Sequence, residues 1–82
     1  MSQERLVWKG QKAEALQLQK EREAEAATLI RDLRNDLNPI SGIYKIDRDA
    51  VLRRAGRLAA IQIELEMIRK ELRELNDLLG ET

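Results

Sequence analysis

The sequence predicts an all-α fold, two long helices folded back on each other as an antiparallel hairpin, and three observations lead there. Charged residues make up 37% of the chain and aromatics 2%, the composition of long helices and coiled coils. The single proline, Pro39, separates two proline-free stretches rich in Ala, Leu, Glu, Gln, Lys and Arg. The second stretch repeats its leucines and isoleucines in alternating steps of three and four, which is a heptad seam.

The first helix is expected over about residues 2–37. It closes at Asn38-Pro39, because the residue before a proline is pushed out of the α region. Gly10 costs about 1 kcal/mol relative to alanine inside a helix, so the firm part is expected from Gln11 onward. The turn, residues 38–46, mixes Pro39, Ser41 and Gly42 with Ile40, Ile43, Tyr44 and Ile46. Asp47 then stands as an N-cap, with Asp49 in the first turn facing the positive end of the helix dipole. Ile46 and Val51 have the spacing of a hydrophobic staple. The second helix, about 47–79, stops at Gly80 and forms a rod of about 50 Å at 1.5 Å per residue.

Its seam is Val51, Leu58, Ile61, Leu65, Ile68, Leu72, Leu75 and Leu79, broken by Arg54. Arg54 either sets the register, as a single polar seam residue can, or snorkels to solvent. Asp49 and Arg53, Glu66 and Lys70, Lys70 and Glu74, and Arg73 and Asp77 have i,i+4 spacing and mark the solvated surface. If the chain turns about Gly42, Leu33 faces Val51, Ala26 faces Leu58, Leu16 faces Ile68 and Leu6 faces Leu78. Trp8 then joins Leu75 and Leu79. That register sets Glu23, Gln19, Lys12 and Lys9 against Ile61, Leu65, Leu72 and Leu75, leaving the distal seam to be covered by something else.

A chain of 82 residues buries about 60% of its unfolded surface and is usually marginal alone. Cysteine and histidine are both absent, which removes disulfides and the ordinary zinc, haem and iron–sulfur ligand sets. Oligomerisation is the remaining support, and a homodimer closing a four-helix bundle is the simplest form. The expected oligomer or partner interface is a second stripe on the same helix, Leu52, Gly56, Ala59, Ile63 and Met67, together with the uncovered seam at Leu58, Ile61, Leu65, Ile68, Leu72 and Leu75. The alternative reading is that Ile63 and Met67 are the edge of one broad apolar face. The loop cluster Ile40, Ile43, Tyr44 and Ile46 either plugs the bundle end or stands out as a recognition knob.

No nucleophile stands beside a base and no glycine loop is built for phosphate, so catalysis is not expected. No cofactor, metal or small-molecule substrate is expected either. Fifteen basic residues balance fifteen acidic ones, which gives no overall field toward nucleic acid or an anionic membrane. The exception is the corner, residues 31–57, with seven basic against four acidic side chains. Arg31, Arg34, Arg48, Arg53 and Arg57 there are the candidates for an acidic partner or a phosphate backbone, although nucleic-acid binders usually carry a stronger excess. The N-terminus lacks a signal-peptide apolar core, and no run approaches a membrane span; a cytoplasmic protein is expected.

The corner RDLRNDLNPISGIYKIDRDAV, followed by a heptad helix ending ELRELNDLLG, resembles small helical proteins encoded in Mu-like transposable phages and prophages, over roughly residues 29–80. The resemblance rests on layout and on the Leu-Asn-Pro turn. It implies a bacterial cytoplasm and a small protein that binds host machinery or phage regulators, and it transfers no functional residue. The sequence as a whole therefore points to a homo-oligomeric helical-hairpin interaction protein. Two other classes stand beside it, a small DNA-associated regulator using the arginine corner and a structural assembly subunit.

Overall fold

The computed structural model describes residues 2–81 as two helices joined by two short 3-10 turns. Helix α1 spans Ser2–Asp36, the turns are Pro39–Ser41 and Ile43–Lys45, and α2 spans Arg48–Leu79. The helices pack along their length into a rod with Cα extents of 63 × 17 × 14 Å. None of the described helices is long and apolar enough to cross a membrane.

Each boundary has a local cause. Asn38, held extended before Pro39, accepts the Ile40 N–H on its side-chain oxygen at 3.0 Å and so caps the first 3-10 turn. Gly42 adopts φ 78° between the two turns, a conformation that costs other residues about 1–2 kcal/mol. Asp47 caps α2 as its sequence position predicts, accepting the Ala50 N–H at 3.1 Å. Gly80 ends α2 in the left-handed region, with its own N–H on the Asp77 carbonyl and the Glu81 N–H on the Asn76 carbonyl. That double bond is a Schellman motif, and it aims Glu81 back toward α1. The expected weak point at Gly10 does not appear: α1 runs unbroken through it, with half-buried Trp8 holding the first turns against α2.

The core is one file of side chains between the helices. On α2, Ile61, Ile68, Leu75 and Leu79 are buried, and Val51, Leu58, Leu65 and Leu72 are half-buried. The residues of α1 turned toward them are Trp8, Lys12, Ala15, Gln19, Arg22, Ala26, Leu29, Leu33 and Asp36, all buried or half-buried and spaced by four and three. This corrects the register read from the sequence, because Leu6, Leu16 and Leu78, assigned there to the core, are exposed. It also corrects the uncovered distal seam, since Ile68 and Leu75 are closed within one chain. The physical reason is that Ala15 lets the helices approach. Lys12 ends on the Glu81 carboxylate, so its methylene stem lies along the seam while its charge stays wet.

Candidate functional site

The two flanks of this seam differ, and the difference starts in the rows spaced by seven residues beside it. On one flank α1 carries Leu18, Glu25 and Asp32, and α2 carries Arg57, Glu64 and Leu78. Ion pairs bridge that side. Arg57 donates from Nε and Nη2 to both oxygens of Glu25 at 2.6 and 3.0 Å. Arg22 reaches across from the seam to Glu64 at 3.0 Å and lies 3.7 Å from Glu25. Lys12 with Glu81 and Asp36 with Arg54 tie the two ends. Arg54, the break in the apolar seam, is thus answered by a carboxylate at a seam position of α1.

The same geometry sets the titration of these groups. The hydrogen bond from Arg57 holds the Glu25 carboxyl below its ordinary value, outweighing the opposing cost of desolvation with help from the charges of Arg57 and Arg22. Lys12 does the same for Glu81, chiefly through its hydrogen bond, helped by the charges of Arg5 and Lys9. None of the four i,i+4 pairs expected along α2 forms an ion pair among the described residues; their place is taken by pairs between the helices.

The other flank carries Leu16, Glu23 and Ile30 on α1, with Leu37 just beyond its end, and Ala55, Gln62 and Arg69 on α2. No ion pair crosses it among the described residues. A groove of about 690 Å³ runs between the helices there, lined by Gln19, Glu23, Ala26 and Ile30 from α1 and by Ala55, Leu58, Ala59, Ile61, Gln62, Leu65, Glu66 and Arg69 from α2. Its corner end is apolar and its tail end polar. A smaller depression of about 470 Å³, bounded by Glu66, Arg69, Leu72, Arg73 and Asn76, continues toward the tail. The row that frames the groove extends to Leu16 and Leu37, which are both about half exposed.

The residues singled out from the sequence divide among three places. Leu58, Leu65 and Ala59 line the groove. Ile68 and Leu75 belong to the hairpin's own core, and Ile61 is 1% exposed at the groove floor; these three are corrected from interface to core, because α1 already covers them. Leu72 is half-buried at the tail. Leu52, Ile63 and Met67 lie exposed on α2 away from α1. Of the corner arginines, Arg57 is engaged by Glu25 and Arg31 lies 3.5 Å from its neighbour Asp32, while Arg34, Arg48 and Arg53 are exposed and make no ion pair among the described residues. The loop cluster does not plug the end of the single hairpin. Ile40, Ile43 and Tyr44 are 92%, 73% and 100% exposed, and Ile46 alone of the four is half-buried.

Comparison with family models, curated proteins and solved structures gave no match.

Sequence reasoning missed Ile30 and Ala55 as surface-forming residues. A signal existed for the first: Leu16, Ile30 and Leu37 share one row of seven-residue steps with Glu23. It was hidden because a row that alternates apolar and charged members reads as solvated surface until the register is known.

Proposed function

We propose that this chain is a non-enzymatic protein–protein interaction module that offers the open side of its helical hairpin to another polypeptide, a further copy included. One observation carries the reading: ion pairs seal one flank of the seam, whereas the other is an apolar groove framed by Ile30, Ala55 and Ala59. A surface helix pair that served only as a spacer would gain from closing both flanks alike. The groove is long, shallow and bounded by parallel ridges, which suits a helix laid into it. The resemblance to small phage proteins supplies a setting, a bacterial cytoplasm with host or phage proteins as partners.

Site-specific photocrosslinking tests it. A photoreactive side chain at Gln62, in the groove, is expected to form adducts with another polypeptide, and the same group at Gln17, on the outer side of α1, is not. Equal labelling from both positions, or none from Gln62, overturns the module.

Arg34, Arg48 and Arg53 support a second reading, a DNA-associated regulator, because these three exposed cations at the corner make no ion pair among the described residues. Titration with duplex DNA at two salt concentrations decides it, since binding through phosphate contacts weakens as salt rises with a slope set by the number of phosphates neutralised. No binding at the lower salt removes this reading.

A further inference from the structure

We propose that the occupant of the groove is a second copy of this chain, docked face to face with both corners at the same end. This deepens the interaction-module reading and rests on it.

The area suffices. The face that presents the groove spans both helices, so its dimensions are those of the long and middle axes, 63 and 17 Å. Covering it removes roughly 1,000 Å² per copy, above the roughly 800 Å² per partner of a standard interface.

The sizes and polarity of the side chains choose the orientation. At the corner end of the groove α1 presents a large apolar group, Ile30, and α2 a small one, Ala55. A two-fold axis parallel to the helices lays α1 of each copy across from α2 of the other, so large groups enter the hollow above small ones. A two-fold axis across the helices lays α1 on α1 and α2 on α2. It also reverses the order along the helices, so the apolar corner end of each groove, at Ile30 and Ala55, falls on the polar tail end of the other, at Glu66 and Arg69, and those polar groups lose water without compensation.

The corner gives the same answer from a different set of residues. Ile40, Ile43 and Tyr44 are almost wholly exposed in one hairpin, and Leu37 is half exposed just before them. An apolar cluster of this kind is normally covered. With corners at one end, the two clusters come together and cover each other beyond the end of the groove. At the tail Leu6, Val7 and Leu78 are also exposed, at 66%, 56% and 52%, but less so than the corner cluster, and Leu78 falls in the row of Arg57 and Glu64 on the sealed flank, away from the groove.

Because the chain has no cysteine, Ser41→Cys places a single spin label at each corner of the full-length protein. Light scattering gives the mass and pulsed electron paramagnetic resonance gives the distance between labels. The expected results are a two-chain mass and a label-to-label distance of no more than about 20 Å, since the two layers lie one interaxial spacing of about 10 Å apart. A distance approaching the 63 Å length of the rod overturns the orientation. Ala59→Glu, an exposed helix position that keeps helicity, is expected to weaken association at least about tenfold, with Gln17→Ala unchanged; a dimer indifferent to Ala59→Glu overturns the groove as its seat. A single-chain mass at every concentration overturns the second copy, and if adducts still form from Gln62 under those conditions the interaction module survives with a different occupant.

Discussion

Ile61 and Ile63 are the same side chain two positions apart on one helix, and truncating each to alanine separates the hairpin's core from its outer surface. Ile61 is 1% exposed and Ile63 is 59% exposed. Removing a buried isoleucine to alanine costs about 2–5 kcal/mol, the transfer of its methyl and methylene groups plus the void they leave. Helix propensity does not offset this, since alanine improves on isoleucine by a few tenths of a kcal/mol at both sites. Ile61→Ala is therefore expected to lower stability by about 3 kcal/mol. For a domain of this size, where 1 kcal/mol moves Tm by about 4–8 °C, that is a fall of more than about 10 °C. Ile63→Ala, as a surface change, is expected to stay within about 0.5 kcal/mol of the parent. Urea unfolding followed by circular dichroism, at several protein concentrations, measures both. A cost at Ile63 equal to that at Ile61 would refute the assignment of faces. It would mean that the stripe Leu52, Ile63 and Met67 is itself buried in an assembly, and that the groove is not the principal interface.

Three further outcomes follow from the same geometry. Gly56→Ala is expected to stabilise by about 1 kcal/mol, because nothing lies within 4 Å of the added Cβ; a loss of stability would show another helix pressed against that surface. Arg54→Leu is expected to destabilise by stranding Asp36 in a partly covered position, and the double change Asp36→Leu with Arg54→Leu to recover most of the loss; additive losses in a double-mutant cycle would show that the two groups do not act as a pair. Stability is expected to decline on acidification below about pH 4.5. Glu25 and Glu81 have folded-state values lowered from 4.5 by Arg57 and Lys12, so the unfolded chain binds more protons there; the contribution is complete above the unfolded value and is lost as pH falls through the folded one. Both groups are exposed, so added salt should flatten this dependence, and a profile unchanged in Glu25→Gln with Glu81→Gln would exclude them as its source.

Helix α2 was legible from the sequence because each device along it acts within a few residues. Asp47 needs the Ala50 N–H, Gly80 needs the Asp77 and Asn76 carbonyls, and the seam from Leu58 to Leu79 repeats without reference to any other segment. Helix α1 was legible as a helix but not as a surface. The row it turns inward holds Lys12, Gln19, Arg22 and Asp36 among Trp8, Ala15, Ala26, Leu29 and Leu33. No apolar period marks such a row, and its polar members acquire meaning only through Glu81, Glu64 and Arg54 on the other helix.

That dependence explains why the site could not be placed from the sequence even though the hairpin could. A rotation of α1 by one residue is about 100°, enough to exchange an inward row for a flank. Reading Leu16 and Leu6 as core turned the wrong side of α1 toward the seam. The row of Ile30 and Leu37 then had no role, and the need for a partner was displaced onto the outer stripe of α2. In the structure the long-range ion pairs mark the rotation: with Glu25 and Arg22 on Arg57 and Glu64 on one side, the side of Ile30, Ala55 and Ala59 is left open. Polar pairing and apolar exposure are two consequences of one rotational setting. Disrupting the sealed flank, by reversing Glu25 to Lys, should therefore change the shape of the groove on the opposite flank, although no residue lining it has been altered.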